Sequence, residues 1–347
     1  MAEVVRNYVA GRWTASRATE TLPVTNPASG EVIGAAPLST REDVDSAVQA
    51  ARAAFPTWRA TPAVERVRVL FRLKALLEDH KEELARSLTR EHGKILAETL
   101  GEVQRGVENV EHACGIPTLM LGDTLEDIAP GIDCETVRQP LGVFAAVTPY
   151  NFPVMIPMWF WPYAVATGNT VVLKPSEQDP LTHQRIVELA EQAGLPPGVL
   201  NVVHGGQDTV EALCDHPDVV GVSFVGSSKV AEIVYRRATH TGKRVQALGG
   251  AKNHLIVLPD ADMDATVDAC LASVFGSTAI LITGLGTSID SNKSGFFSSQ
   301  RVSPVVVSFN PTTPTISPAQ SSLTSSRLLA CIRRMRPNRS FLPRLTL

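Results

Sequence analysis

The sequence predicts an α/β fold with a parallel sheet at its centre. From residue 143 onward, short apolar runs typical of buried strands alternate with helical segments, which is the pattern of strand–helix–strand units covered on both faces. Between residues 40 and 114, apolar residues recur at helical spacing with charges between them. The chain of 347 residues is 44% hydrophobic and 19% charged, which is enough for two domains and a large buried core.

Helices are predicted through most of the first third of the chain, after short strands and turns at the N terminus. Thr40 and Asp43 form a capping-box pattern that opens a helix ending near Phe55. Pro62 is expected at the first position of the next helix, where its missing N–H costs nothing. A third helix is predicted over residues 97–114. We interpret these helices as scaffold.

The middle of the sequence predicts a hairpin followed by the strands of the parallel sheet. The hairpin spans residues 125–138 and turns at Pro130-Gly131. The strands are predicted at residues 143–147, 170–173, 199–203, 219–224, 245–248 and 255–258. The helices between them are predicted at residues 183–193, 209–214 and 229–238.

The composition changes abruptly near Ala279. Residues 279–347 are crowded with Ser, Thr and Pro, contain one acidic residue, Asp290, and end near the basic run 333–336. The segment shows neither a sustained period nor a capping pattern. It is predicted to be an irregular, disordered tail unrelated to the rest of the chain, or a misread sequence, with a basic interaction tail as the alternative.

Charge and cysteine usage exclude several function classes. The net charge of -3 gives no electrostatic reason to expect nucleic acid or an anionic membrane as a partner. The five cysteines are scattered without a CxxC pair, which favours reduced thiols and a cytoplasmic location. The most apolar run, residues 154–166, is too short to span a bilayer. The histidines lack ligand spacing, so no metal site is expected.

Four motifs carry a resemblance to a known family. They resemble the NAD-dependent aldehyde dehydrogenase superfamily, and in particular its CoA-acylating methylmalonate-semialdehyde dehydrogenase branch. The resemblance covers about residues 1–277, and the C-terminal part is not matched. The motifs are Val-Thr-Pro-Tyr-Asn-Phe-Pro at 147–153, Leu-Lys-Pro-Ser-Glu at 173–177, Ser-Phe-Val-Gly-Ser at 223–227 and Ala-Leu-Gly-Gly-Ala-Lys-Asn-His at 247–254.

The resemblance implies a domain plan and a homo-oligomeric assembly. An aldehyde-dehydrogenase-type NAD-binding domain with a parallel sheet would be followed by a truncated catalytic domain and the irregular tail. The plan assigns residues 1–124 and 142–254 to the NAD-binding domain, 125–141 to an oligomerisation-type hairpin, 255–278 to the start of the catalytic domain and 279–347 to the tail.

Lys174 and Glu177 are the first cofactor-binding candidates. They follow a predicted buried strand at its carboxyl end, where open α/β sheets bind ligands. The resemblance implies that they hold the adenosine ribose hydroxyls. Lys would donate to a ribose oxygen, and Glu would accept from the 2′-hydroxyl and repel a 2′-phosphate, which favours NAD over NADP. A solvated surface turn is the alternative interpretation.

Ser227 is predicted to cap a helix whose N-terminus faces the pyrophosphate of NAD. A helix N-terminus offers unpaired N–H groups and partial positive charge to such an anion. The sequence has no GxGxxG pattern here, because Ala231 fills the second glycine position. By resemblance, further residues line the NAD site. They are Thr148, mainly through its backbone, Tyr150, Gln178 and, near the nicotinamide, Gly249.

Asn151 is the catalytic candidate. By resemblance, its amide donates to the aldehyde oxygen as an oxyanion donor, and a simple turn is the alternative. Ala247 stands where many relatives carry a Glu that activates water, and no carboxylate lies beside it in the motif. That absence resembles the CoA-dependent branch, in which the thiol of CoA resolves the acyl-enzyme as co-substrate.

The nucleophile is missing from the pattern. The family continues to a Cys seven residues after the Phe that matches Phe275, and that position holds Ile282. Cys270 is the nearest thiol and is interpreted as a buried spectator. The implied reaction is oxidation of methylmalonate or malonate semialdehyde with NAD and CoA to an acyl-CoA, and the chain as written is predicted to be inactive. A catalytically dead NAD-binding fragment or a regulatory truncated subunit is the alternative.

Overall fold

The computed structural model describes residues 4–250 and 260–275, with side chains through residue 269. The chain divides into two units, Met1–Gly250 and Ala251–Leu347. The described part of the second unit contains one helix, Met263–Phe275. The predicted strand at 255–258, the position of Ile282 and the tail lie outside the described residues.

The described residues form the following strands and helices. The strands are β1 (Asn7–Val9), β2 (Arg12–Thr14), β3 (Thr21–Thr25), β4 (Val32–Pro37), β5 (Thr124–Ala129), β6 (Ile132–Glu135), β7 (Val143–Val147), β8 (Thr170–Lys174), β9 (Leu200–Val202), β10 (Val219–Val225) and β11 (Arg244–Leu248). The helices are α1 (Arg41–Ala60), α2 (Ala63–Asp79), α3 (Lys81–His92), α4 (Leu96–Cys114), α5 (Ile116–Leu119), α6 (Met155–Met158), α7 (Trp161–Ala166), α8 (Leu181–Gln192), α9 (Gln207–Asp215), α10 (Ser228–His240) and α11 (Met263–Phe275).

The central sheet has seven strands in the order β11-β10-β7-β8-β9-β1-β2. The five strands from β11 to β9 run parallel, which confirms the predicted α/β fold class. β7 is the first of these five in the chain and lies in their middle, with β8 on one side and β10 on the other. Val147 is in register with Lys174 on β8 and with Phe224 on β10, so the carboxyl ends of the three strands lie level.

The sheet is buried on both faces at β8, near its middle. Every residue of β8 is buried, and alternate side chains enter two different apolar clusters. Val171 and Leu173 pack with residues of α2, α4 and α8. Val172 packs with residues of α1, α9 and α10. A strand covered on both sides explains why its sequence is continuously apolar rather than alternating. No helix in the described ranges is long and apolar enough to cross a membrane.

The predicted capping box of α1 is confirmed. The Thr40 side chain accepts from Asp43 N at 3.4 Å, and the Asp43 carboxylate accepts from Thr40 N at 3.1 Å. The predicted end at Phe55 is wrong, because the helix continues to Ala60. Its last turn is anchored by buried Trp58, whose Nε1 donates to the Val165 carbonyl at 2.9 Å. Tertiary packing thus outweighs a proline inside the helix.

Two further local predictions have different outcomes. Pro62 is the residue before α2 rather than its first residue. The hairpin is confirmed: β5 and β6 pair antiparallel and turn at Pro130-Gly131, where Gly131 has a φ of +74°. Positive φ is a conformation that glycine adopts without strain. The pairing ends at Glu135, before the predicted end at residue 138.

Candidate functional site

The candidate site lies at the carboxyl ends of β7 and β10, where the strand order reverses: the chain continues from β7 to β8 on one side and from β10 to β11 on the other. In a parallel sheet, the connections leaving two neighbouring strands in opposite directions open a crevice at the carboxyl ends, and ligands bind there. Thr148 follows β7 at this point, and its N–H donates to the Lys174 carbonyl at 3.1 Å. That N–H is therefore used by the sheet. The Thr148 Oγ1 is buried without a hydrogen-bond partner among the described residues.

Lys174 and Glu177 lie together at the end of β8. The Lys174 ammonium and a Glu177 carboxylate oxygen are 2.5 Å apart. Lys174 is buried, while Glu177 is a quarter exposed. The two groups present one cationic donor and one anionic acceptor side by side. This pairing suits a diol, in which one hydroxyl accepts and the other donates.

Gln178 is less closely tied to this pair than the motif suggests. It is exposed, and its backbone N–H donates to Ser176 Oγ at 3.1 Å. Its side chain has no hydrogen bond to a described residue. The described contacts therefore do not hold the Gln178 side chain beside the Lys174–Glu177 pair.

The N-terminus of α10 supplies the third part of the site. Ser227 is its N-cap and accepts from Val230 N at 3.4 Å, so the predicted cap is confirmed. Helix geometry leaves the N–H groups of Ser228 and Lys229 without an intrahelical acceptor. Such groups, with the positive end of the helix dipole, form an anion-binding position.

Gly249 and Gly250 let the backbone after β11 approach the start of α10 closely. Gly226 N donates to the Leu248 carbonyl at 3.1 Å, which ties β10 to β11. A Cβ on Gly249 would lie 3.2 Å from the Ser228 Cα, so the turn after β11 packs against the helix start. The next N–H, of Gly250, donates to Ser228 Oγ at 3.0 Å. Gly249 thus lies beside the anion-binding position.

Asn151 and Tyr150 follow β7 in the segment before α6, and both are half-buried. The Asn151 Oδ1 is buried and has no hydrogen-bond partner among the described residues. None of these residues takes a hydrogen bond from its Nδ2 either. The amide is therefore free to donate to a ligand. Burial, and secondarily the Asp179 carboxyl, raises the pKa of Tyr150, so this side chain stays a neutral phenol.

Comparison with known proteins identifies the family. The family model described as the aldehyde dehydrogenase family matches residues 13–279. The chain belongs to the aldehyde dehydrogenase family. This confirms the family that the four motifs indicated.

Relatives with known names and structures match the same region. A malonate-semialdehyde dehydrogenase of Geobacillus kaustophilus is 54% identical over 274 residues, which cover 79% of this chain and 56% of the relative. A crystal structure of methylmalonate-semialdehyde dehydrogenase from Oceanimonas doudoroffii is 49% identical, with a TM-score of 0.77, and covers 80% of this chain and 57% of that chain. A structure from Sinorhizobium meliloti 1021, described as a methylmalonate-semialdehyde dehydrogenase complexed with NAD, is 44% identical, with a TM-score of 0.76 and coverage of 79% and 56%. The chain therefore spans somewhat more than half the length of these relatives.

The structure also shows residues beside the site that the sequence motifs did not reveal. Lys94 and Glu102 form a buried ion pair with 2.6 Å between Nζ and Oε2. Lys94 Nζ also donates to the Asn151 carbonyl at 2.6 Å. Burial lowers the Lys94 pKa, and the Glu102 carboxylate opposes that effect. A signal existed in the sequence: Glu102 falls on the buried stripe of α4 with Thr99 and Val103, where a charge is out of place.

Burial shifts the pKa values of several further titratable groups towards their neutral forms. Glu91 accepts from the N–H groups at the start of α8, and burial raises its pKa to about 7. Burial and the neighbouring Glu91 carboxyl raise the Asp179 pKa well above its usual range. Burial lowers the pKa of His183 to about 3 and of His204 to about 4. Among the described residues, no group of three or more His, Cys, Asp and Glu is placed to hold a metal ion.

Proposed function

We propose that the chain binds NAD in the crevice at the carboxyl ends of β7, β8 and β10. The proposal rests mainly on the Lys174–Glu177 pair at the end of β8, next to the point where the strand order reverses. The pair and the N-terminus of α10 offer matching chemistry to the two ends of an adenosine diphosphate. The NAD complex of the Sinorhizobium meliloti relative supports the assignment.

The residues fit NAD group by group. Lys174 would donate to a ribose oxygen, and Glu177 would accept from the 2′-hydroxyl while repelling a 2′-phosphate. The free N–H groups at the start of α10, capped by Ser227, would bind the pyrophosphate. Thr148 and Tyr150 would line the crevice between these two regions. Gly249 would lie towards the nicotinamide, since it packs against the start of α10.

We further propose that the parent activity is a CoA-acylating semialdehyde dehydrogenase. The names of the Geobacillus kaustophilus and Oceanimonas doudoroffii relatives support methylmalonate or malonate semialdehyde as the substrate. NAD, when bound, accepts a hydride from the substrate. Asn151 would donate its amide to the aldehyde oxygen, an interaction worth about 2.7–4 kcal/mol in related sites. Ala247 carries no carboxylate to activate water, so the thiol of CoA would take the acyl group.

The absence of a cysteine at the expected position limits the reactions that this chain can catalyse by itself. The family pattern places Ile282 at the cysteine position, and an alkyl side chain has no electron pair with which to attack a carbonyl. We therefore expect NAD binding without aldehyde oxidation. A truncated subunit that associates with longer relatives and regulates them is the second candidate, and the exposed β5–β6 hairpin favours it.

Calorimetric titration of the full 347-residue chain with NAD tests the proposal. Lys174→Met should weaken NAD binding by about tenfold or more, because a charge-assisted hydrogen bond is lost. Lys74→Met is the matched control, since Lys74 pairs with Glu78 on the surface of α2 and should leave binding unchanged. If the unmodified chain does not bind NAD, the proposal fails.

A second measurement separates fragment from enzyme. The chain is mixed with malonate semialdehyde, NAD and CoA, and NADH absorbance is followed. No NADH is expected, although NAD binds. NADH formation that depends on both aldehyde and CoA would show that another group supplies the nucleophile and would overturn the proposed inactivity.

A further inference from the structure

A buried ion pair lies beneath the segment that follows β7. Lys94, just before α4, and Glu102, within α4, are each 1% exposed. Removing two charges from water is costly, and well-packed apolar residues often serve a core equally well. The role of the pair is therefore better inferred from the groups that it contacts than from its burial in the core.

Lys94 contacts one end of a short segment, residues 151–155. Its Nζ donates to the Asn151 carbonyl at 2.6 Å. The same ammonium lies 4.0 Å from the centre of the Phe152 ring, a cation–π distance. Lys94 therefore holds both the backbone of Asn151 and the side chain that follows it.

Glu102 contacts the other end of the same segment. Its Oε1 accepts from Val154 N at 2.9 Å and from Met155 N at 3.2 Å. Apart from the ion pair itself, these are its hydrogen bonds to described residues. Because Oε2 faces Lys94 and Oε1 faces the segment, one carboxylate couples the lysine to the start of α6.

The segment depends on this pair because it has little support of its own. Residues 151–154 of this segment belong to neither a strand nor a helix. The Phe152 carbonyl accepts from Ile156 N at 3.1 Å, a bond that closes only the last turn of the segment. A loop with few internal hydrogen bonds takes its shape from the groups that satisfy its backbone.

The geometry points to Lys94 and Glu102 as positioning residues for Asn151. This inference rests on the proposed function, in which the Asn151 amide donates to the aldehyde oxygen. The Asn151 side chain has no hydrogen bond to a described residue, so its direction is set through its backbone. Lys94 fixes that backbone directly, and Glu102 fixes the residues that follow. An oxyanion donor must lie within about 2.7–3.1 Å of the oxygen that it stabilises, so a loose segment would lose the interaction.

The rival interpretation is an ordinary core ion pair that stabilises the whole unit. Three variants separate the two roles. Lys94→Met leaves the Glu102 carboxylate unpaired, and Glu102→Gln leaves the Lys94 ammonium unpaired, so each single variant should lower global stability. The double variant contains no unpaired buried charge and should regain most of that stability. In the double variant, however, the Asn151 carbonyl still lacks the Lys94 ammonium as a donor.

Hydrogen exchange followed by mass spectrometry provides the local readout, and urea unfolding the global one. In the double variant, we expect amides of residues 148–156 to exchange about tenfold faster than in the unmodified chain, as the loss of a charged hydrogen bond predicts. Exchange elsewhere and the urea midpoint should lie close to those of the unmodified chain. Exchange in 148–156 that recovers together with the urea midpoint would overturn the positioning role.

Glu91→Gln is the matched control, because Glu91 is equally buried and also accepts from two backbone N–H groups. Those groups belong to Leu181 and Thr182 at the start of α8. The control should loosen that helix start and leave residues 148–156 protected. If the double variant does not fold, Glu102→Gln alone decides: exchange in 148–156 that rises more than the increase shared by the rest of the chain supports the inference, and an equal increase throughout the chain overturns it.

A measurement of NAD binding distinguishes failure of this inference from failure of the proposed function. If the unmodified chain binds no NAD, the proposed function fails, whereas the exchange data still decide what the pair positions. If the chain binds NAD, the apparent Kd of the double variant should rise, because a smaller fraction of molecules holds Tyr150 and Thr148 in the binding-competent shape. An unchanged Kd together with unchanged exchange would overturn the inference alone.

Discussion

The Lys174 ammonium meets the Glu177 carboxylate at the end of a strand whose every residue is buried. Lys174 is itself buried, and the partly exposed Glu177 carboxylate pairs with its ammonium. The pair holds a cation and an anion side by side at the carboxyl end of β8, the arrangement that we propose binds the ribose hydroxyls of NAD.

Glu177→Gln should reduce the discrimination between NAD and NADP. The amide still accepts from a 2′-hydroxyl, but it no longer repels a 2′-phosphate, and like charges in contact are strongly unfavourable. We expect the ratio of NADP to NAD dissociation constants to fall by roughly tenfold or more. Parallel calorimetric titrations with both nucleotides measure this ratio. Glu188→Gln, on α8 beside Arg185, is the control and should leave the ratio unchanged.

Ser227→Ala should weaken NAD binding as well as stability. Loss of an N-cap costs about 1 kcal/mol of stability. Loss of order at the start of α10 should also raise the NAD dissociation constant about two- to fivefold, which corresponds to about 0.3–1 kcal/mol of helix-terminus interaction. Thr40→Ala is the control. It removes a comparable cap from α1, a helix far from α10 in the sequence, and should lower stability without changing NAD binding. Equal effects of both variants on NAD binding would rule out a direct part for Ser227.

The sequence was informative wherever structure depends on neighbours along the chain. The strands β7, β8, β10 and β11 and the cap Ser227 follow from apolar runs and turn chemistry that lie within a few residues. The place of β1 could not be predicted, because it joins the sheet through a pairing of Tyr8 with Val202. That pairing is reinforced by Asn7, whose Oδ1 accepts from His204 N at 2.9 Å. No local sequence pattern indicates contacts between residues almost 200 positions apart.

The same distinction applies to the site. Lys174 and Glu177 lie three residues apart at a strand end, so a motif could place them together. Lys94 contacts Asn151 from 57 positions away, and only the buried stripe of α4 hinted that Glu102 points inward. The residues expected to contact the ligand were thus visible in the sequence, whereas the residues that hold them were not.

The β5–β6 hairpin is expected to drive self-association. It exposes Leu125, Ile128 and Ile132 by more than half of their surfaces. A row of exposed apolar residues on a two-stranded ribbon is an association surface. Ile132→Asp should shift the chain towards smaller species in size-exclusion chromatography with light scattering. Val64→Asp, an equally exposed apolar position at the start of α2, is the control and should not shift the distribution.

Buried histidines should make the fold sensitive to acid. Burial lowers the pKa of His183 from 6.5 to about 3, and the neighbouring His204 contributes to the shift. Between these pKa values the unfolded chain binds a proton that the folded chain excludes. The stability contributed by neutral His183 is therefore fully present above pH 6.5 and is lost as the pH falls towards the folded pKa. Each fully buried histidine contributes a slope of about 1.4 kcal/mol per pH unit in this window.

His183→Gln isolates this slope from the other titrating groups. Glu91 and Asp179 act in the opposite direction, because their raised pKa values make the folded state bind protons, but they are present in both proteins and cancel in the difference. At pH 7 the variant should be less stable than the unmodified chain. At pH 5 the gap should have narrowed by about 2 kcal/mol, since only the unmodified chain loses stability through His183. Urea unfolding at both pH values measures the gap, and an equal gap at both would mean that His183 titrates alike in the folded and unfolded chains.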